Sequence, residues 1–148
     1  MKLQTKHTVC AKCGGRCCKR SPGIWSPEDL GWPEASKLVR NIESHVHRGL
    51  AVFAREPDPA LRGGEIWFLM PPWLPAPPPE RPCALLRKHG CTLTFARRPE
   101  ACRRLTPSID RVCSPELGAS DQYIRYRWIP LQEFVQQARR LFAKEQAI

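Results

Sequence analysis

Eight cysteines constrain what this chain can fold into more than any other feature. Cys10, Cys13, Cys17 and Cys18 fall within one short stretch near the start, and Cys83, Cys91, Cys102 and Cys113 follow far downstream. A C-x2-C pair such as Cys10 and Cys13 lets a tight turn aim two thiolates at one ion. Gly14 and Gly15 follow directly, where the backbone must turn sharply and can offer N–H groups to sulfur. The remaining ligands can then come from distant parts of the chain. Metal cross-linking of this kind would offset a shortage of regular structure, and with 16 prolines among 148 residues that shortage is expected. The length suits one domain spanning residues 1–148.

An even number of cysteines also permits a disulfide framework, as in secreted proteins. The first residues, Met1 to Val9, lack the apolar run of roughly 7–15 residues that a secretory signal needs. No stretch approaches the roughly 18–20 apolar residues of a membrane span. The expectation is therefore a cytoplasmic, reducing environment, where C-x2-C points to metal or redox chemistry. The formal charge of +10, from 24 Lys and Arg against 14 Asp and Glu, raises nucleic acid or an acidic partner as a possibility. Thiolate ligation tempers it, since four thiolates around a divalent ion or a cubane cluster carry about −2 net and leave about +8 per chain.

Along the chain, Ser26-Pro-Glu-Asp29 has the form of an N-cap followed by proline and first-turn acids. Pro33 is expected to open a longer helix with Leu38, Val39, Ile42 and Val46 on one face and Gly49 as terminator. Leu50 to Ala54 either extends that helix or forms a short strand. Glu56 to Gly64 is turn-like, and Glu65 to Met70 suits one buried strand. Residues 71–82 are proline-rich and read as an extended connector delivering Cys83, with docking to an aromatic-lined partner as the alternative. Residues 131–148 read as an amphipathic C-terminal helix. Its stripe of Leu131, Phe134, Val135, Ala138, Leu141 and Phe142 packs on the domain, while Gln132, Gln136, Arg139 and Arg140 fall off it. Tyr123, Tyr126 and Trp128, interleaved with Arg125 and Arg127, read as a short amphipathic strand or a stacking surface for single-stranded nucleic acid. The fold class is a small, irregular, α-rich α+β domain stabilised by metal, with a cysteine knuckle, two or three helices and one or two short strands.

The knuckle Cys10-Ala-Lys-Cys-Gly-Gly-Arg-Cys-Cys18, the stretch Cys83-Ala-Leu-Leu to Gly90-Cys91 and Phe95, and the run Arg98-Pro99 to Cys102-Arg103 together resemble the YkgJ-like family. That is a group of small bacterial proteins described as zinc- or iron-chelating or iron-sulfur-containing. Pro22-Gly-Ile-Trp-Ser-Pro-Glu-Asp29 is similar to the linker that follows the knuckle there. The resemblance covers roughly residues 10–30 and 81–107. This chain departs from the family pattern in its proline-rich stretch and its C-terminal helix. The resemblance implies a cysteine-held metal and no settled activity.

All-thiolate ligation suits zinc or an iron-sulfur cluster, and the widely spaced later cysteines favour an enclosed cluster, most simply a cubane, over a zinc ribbon. Candidate ligands are Cys10, Cys13, Cys17, Cys83, Cys91 and Cys102, followed by Cys18 and Cys113, with an ordinary buried thiol as the alternative for the last two. Adjacent Cys17 and Cys18 point in different directions and are not expected to bind one ion together. His89 lies two residues before Cys91 and could complete a mixed site, though a solvated loop histidine is the simpler reading. His45 and His47 are two apart in a helix and diverge. His7 belongs with a flexible terminus. Arg97, Arg98, Arg103 and Arg104 bracket Cys102. Arg98 and Arg103 are the candidate cofactor-binding pair, tuning a cluster or recognising an anion, against charge compensation at the surface. The five tryptophans are expected to build the core and shield the site.

Three functions compete. The leading one is a metal-binding protein with a structural or electron-transfer role and a protein or redox partner. A protein-modification enzyme or accessory subunit comes second, without a glycine-rich nucleotide motif, paired carboxylates or a Ser/His/Asp arrangement to support catalysis. The third is a zinc-dependent nucleic-acid-binding module.

Overall fold

The computed structural model describes residues 23–58, 64–76, 82–87, 90–103, 105–106, 114–115 and 121–146. The knuckle Cys10 to Cys18, together with His7, His89, Arg104 and Cys113, lies outside the described residues. Among those described, the fold is an α+β arrangement of two long helices against an antiparallel hairpin, with shorter elements around them.

Ser26 starts the first element as its sequence predicts. Its hydroxyl accepts from the Asp29 N–H at 3.1 Å and its own N–H donates to Asp29 Oδ2 at 3.0 Å, a reciprocal capping box. The helix itself is only the 3-10 turn Glu28–Leu30, because Gly31 leaves it in the left-handed region at φ 107°. Helix α1, Ala35–His47, follows and buries Leu38, Val39 and Ile42 on one face, with Gly49 at φ 72° beyond its end. The chain then turns directly into strand β1, Val52–Pro57, so the strand alternative for Leu50 to Ala54 is the one realised. Strand β2, Glu65–Met70, matches its predicted bounds and pairs antiparallel with β1, Val52 opposite Met70 and Pro57 opposite Glu65.

The proline-rich segment does more than extend. Trp73 pairs with Cys83 across an antiparallel bridge, Leu74 N–H donates to Pro82 O at 2.8 Å and Ala84 N–H to Pro72 O at 2.8 Å. Among the described residues, the N–H groups of Leu74 and Ala84 draw the two ends of the segment together. Two-residue ladders join β3, Leu86–Arg87, to β4, Gly90–Cys91, and β5, Leu105–Thr106, to β6, Ser114–Pro115. Between them lie a 3-10 turn, Phe95–Arg97, and the short helix α2, Glu100–Arg103.

Helix α3, Asp121–Arg127, corrects the strand reading for this stretch. Ile124 and Trp128 are fully buried, four residues apart on one helical face, while Tyr123 and Tyr126 are exposed. Burial here follows a period of four rather than alternation. A 3-10 turn, Ile129–Leu131, leads into helix α4, Gln132–Gln146, which packs against α1 through Leu131, Val135 and Ala138. The core unites these residues with Trp25, Leu30, Ile66, Phe68 and Leu69. Trp25 and Trp128 are buried in it, whereas Trp73 is 40% exposed. No helix among the described residues is long and apolar enough to cross a membrane.

Among the described residues, the outer edge of β2 is capped at Trp67 and Leu69 without a third strand. Opposite Arg55 and Phe53, the backbone groups of Trp67 and Leu69 face away from β1. Leu69 O accepts from the Trp25 N–H at 2.9 Å. At Trp67 the partner is a side chain: Gln132 Oε1 accepts from Trp67 N–H at 2.8 Å, and Gln132 Nε2 donates to Trp67 O at 2.8 Å. A primary amide offers the same donor and acceptor pair as a peptide, so one glutamine stands in for a strand neighbour and blunts the edge.

Candidate functional site

Three candidate ligands are described, Cys83, Cys91 and Cys102, and none of them is in a disulfide. Cys83 is buried, held by its bridge to Trp73. Cys91 ends β4, and its Sγ accepts from the Leu93 N–H at 3.4 Å, the kind of N–H to sulfur bond that stabilises a thiolate. Cys102 sits in α2, its N–H donating to Pro99 O at 2.9 Å. Against it runs Gly23, five residues after Cys18. A Cβ at Gly23 would lie 2.7 Å from Cys102 Sγ and 3.2 Å from Ala101 Cβ, so glycine leaves room beside this sulfur that a side chain would take only by displacing it. Among the described residues, no three Cys, His or carboxylate groups converge on a common point.

The arginines flanking Cys102 are built into a clip around Asp29. The Asp29 side chain is 4% exposed. Its Oδ2 accepts from Glu100 N–H at 2.7 Å as well as from Ser26, and its Oδ1 accepts from Arg103 Nη2 at 2.9 Å. Arg103 Nη1 donates onward to Arg98 O at 3.1 Å, and Arg98 Nε to Leu93 O at 3.1 Å. Arg127 adds bonds to Glu28 and Glu100. Arg103 thus ties the cysteine-bearing segment to the 3-10 turn at Glu28–Leu30 through the Asp29 carboxylate, while Arg98 braces that segment from within through Leu93 O. Asp29 is the residue that sequence reasoning undervalued. Its spacing from Ser26 revealed a cap, but its partners 71 and 74 residues away carry no local signature.

His45 and His47 diverge as read. His47 packs edge-on against Phe142, with ring centroids 5.2 Å apart, and His45 against Trp25 at 5.0 Å. Burial pushes the His45 imidazole below its ordinary pKa; the bond from Nδ1 to Asn41 O at 2.9 Å and the charge of Asp29 act the other way, and Arg48 reinforces the drop. His45 lines a cavity of about 270 Å³ with Trp25, Arg48, Leu93, Arg97 and Arg103 among its walls.

The stacking surface loses much of its free charge. Arg125 is paired with Glu56 and Arg127 with Glu28 and Glu100, so the cations beside exposed Tyr123 and Tyr126 already serve carboxylates. No family model, no curated protein and no solved structure matches this chain.

Proposed function

We propose that this chain is a metal-binding protein that holds an iron-sulfur cluster, or alternatively zinc, through cysteine thiolates, in a structural or electron-transfer role. The observation that carries this reading is the approach of Gly23 to Cys102 Sγ, at 2.7 Å from the position a Cβ would take. It brings the segment that follows the knuckle onto a downstream cysteine, as a site drawing ligands from both regions requires. The Leu93 N–H bond to Cys91 Sγ and the burial of Cys83 support it, because soft metals prefer sulfur donors that are shielded and hydrogen-bonded. The motif resemblance to YkgJ-like proteins points the same way. Cys83, Cys91 and Cys102 do not converge as a trio, so a shared site takes further ligands from Cys10, Cys13, Cys17, Cys18 or Cys113.

A bound cluster would supply one-electron chemistry, and zinc a structural cross-link. This chain's own residues hold Cys102 in register through the Asp29 clip, leave room beside its sulfur at Gly23 and donate an N–H to Cys91. The test is metal and acid-labile sulfide content, with an absorption spectrum, on protein purified without oxygen. Iron with matching sulfide and broad absorption near about 400 nm supports the cluster, and stoichiometric zinc without sulfide supports the alternative. Cys83→Ser and Cys102→Ser should each lower metal content. Full loading of both variants would sink the assignment.

A further inference from the structure

The cavity beside His45 has a composition that the metal reading does not use. Arg48, Arg97, Arg98 and Arg103 line its walls, and Asp29 is the one carboxylate among the described lining residues. Both Asp29 oxygens are already engaged, by Ser26 and Glu100 on one side and Arg103 on the other. Arg48 and Arg97 are exposed, and neither has a carboxylate partner among the described residues. Like charges gathered around a concave surface repel one another and focus a positive potential into it, a cost that an anion relieves. Guanidinium forks match phosphate oxygens in pairs. Trp25, Leu50, Leu93 and Ala96 supply apolar surface in the same cavity, suited to a carbon tail. At about 270 Å³ the space is too small to enclose a nucleotide and sufficient for a phosphate on a short organic chain.

We propose that this cavity binds a small phosphate monoester, its phosphate gripped by Arg48 and Arg97, with Arg98 and Arg103 as the positive floor and the carbon tail against Trp25 and Leu93. This inference does not depend on the metal reading, since none of these residues is a cysteine. The experiment is calorimetric titration of the full chain, as purified, with glycerol 3-phosphate, inorganic phosphate and malonate at fixed ionic strength. Saturable one-to-one binding of glycerol 3-phosphate is expected, tighter than that of either other anion. The double variant Arg48→Gln with Arg97→Gln should weaken it at least about tenfold. Arg140→Gln, on the exposed face of α4, should change it by less than about twofold. If the double variant folds poorly, Arg97→Gln alone, also exposed, should still weaken binding. Absence of saturable binding, equal loss in Arg140→Gln and the double variant, or malonate binding as tightly as glycerol 3-phosphate would each overturn the assignment.

Discussion

Replacing Gln132 tests whether a side-chain amide really closes the edge of the hairpin. Gln132 makes three bonds of 2.8 Å, accepting from Trp67 N–H and donating to Trp67 O and Trp128 O. Leucine has a similar volume and supplies none of them. Each such bond contributes about 0.5–1.5 kcal/mol net, and a stranded buried group costs more, so Gln132→Leu should destabilise the fold by about 2–4 kcal/mol. With a urea slope of about 2 kcal/mol/M, the unfolding midpoint should fall by about 1–2 M, read by tryptophan fluorescence at matched metal content. Gln132→Glu sharpens the test. It keeps an acceptor for Trp67 N–H but points a carboxylate at two carbonyls, and protonation restores one donor. Its folded pKa is raised by those carbonyls, so its deficit relative to the parent should shrink as pH falls from that raised value to the ordinary carboxyl value of about 4. A Gln132→Leu protein within roughly 0.5 kcal/mol of the parent would refute the reasoning, because that is the effect of an ordinary surface substitution.

Three further outcomes follow from the same contacts. Asp29→Asn leaves one oxygen to serve three donors and removes the carboxylate charge facing Arg103, and urea unfolding should report a loss of roughly 2–4 kcal/mol. Gly31→Ala places a Cβ at φ 107°, 2.9 Å from Lys37 Cβ, and should cost about 1–3 kcal/mol in the same assay, with far-UV circular dichroism of the folded protein unchanged. For His45 the folded pKa is lowered, so the unfolded chain binds the proton first. Its contribution to stability is intact above about 6.5 and is lost as pH falls through the folded value. Unfolding midpoints compared at about pH 7.5 and 5.5 should therefore drop more for the parent than for His45→Gln, and parallel losses would remove His45 as the cause.

Strong periodicity made much of the fold legible. Leu38, Val39 and Ile42 marked α1, the apolar run from Ile66 to Met70 marked β2, and the stripe through Leu131, Val135 and Ala138 marked α4. Helix α3 is hidden in the sequence because Tyr123, Tyr126 and Trp128 suggest alternation, while the buried pair Ile124 and Trp128 sets a helical period. Gln132 was placed off the apolar stripe, which is correct, but nothing local announces that its amide reaches a strand 65 residues earlier. The same holds for the site. Cysteine spacing marks Cys83, Cys91 and Cys102 as candidate ligands, and arginines bracket Cys102 in the sequence. Their anchoring to Asp29, and the cavity they line with Arg48, depend on tertiary contacts that no window of sequence contains.

The Asp29 clip bears on the order of events in the life of this chain. A carboxylate, two backbone N–H groups and a guanidinium hold the Cys102 segment against the 3-10 turn, and every atom of that fastening belongs to the polypeptide. Small zinc domains commonly fold only as their ion arrives. Here at least one sulfur has its position fixed by contacts that ask nothing of an ion. On the metal reading proposed above, an ion lost to a chelator would leave this fastening of the Cys102 segment in place.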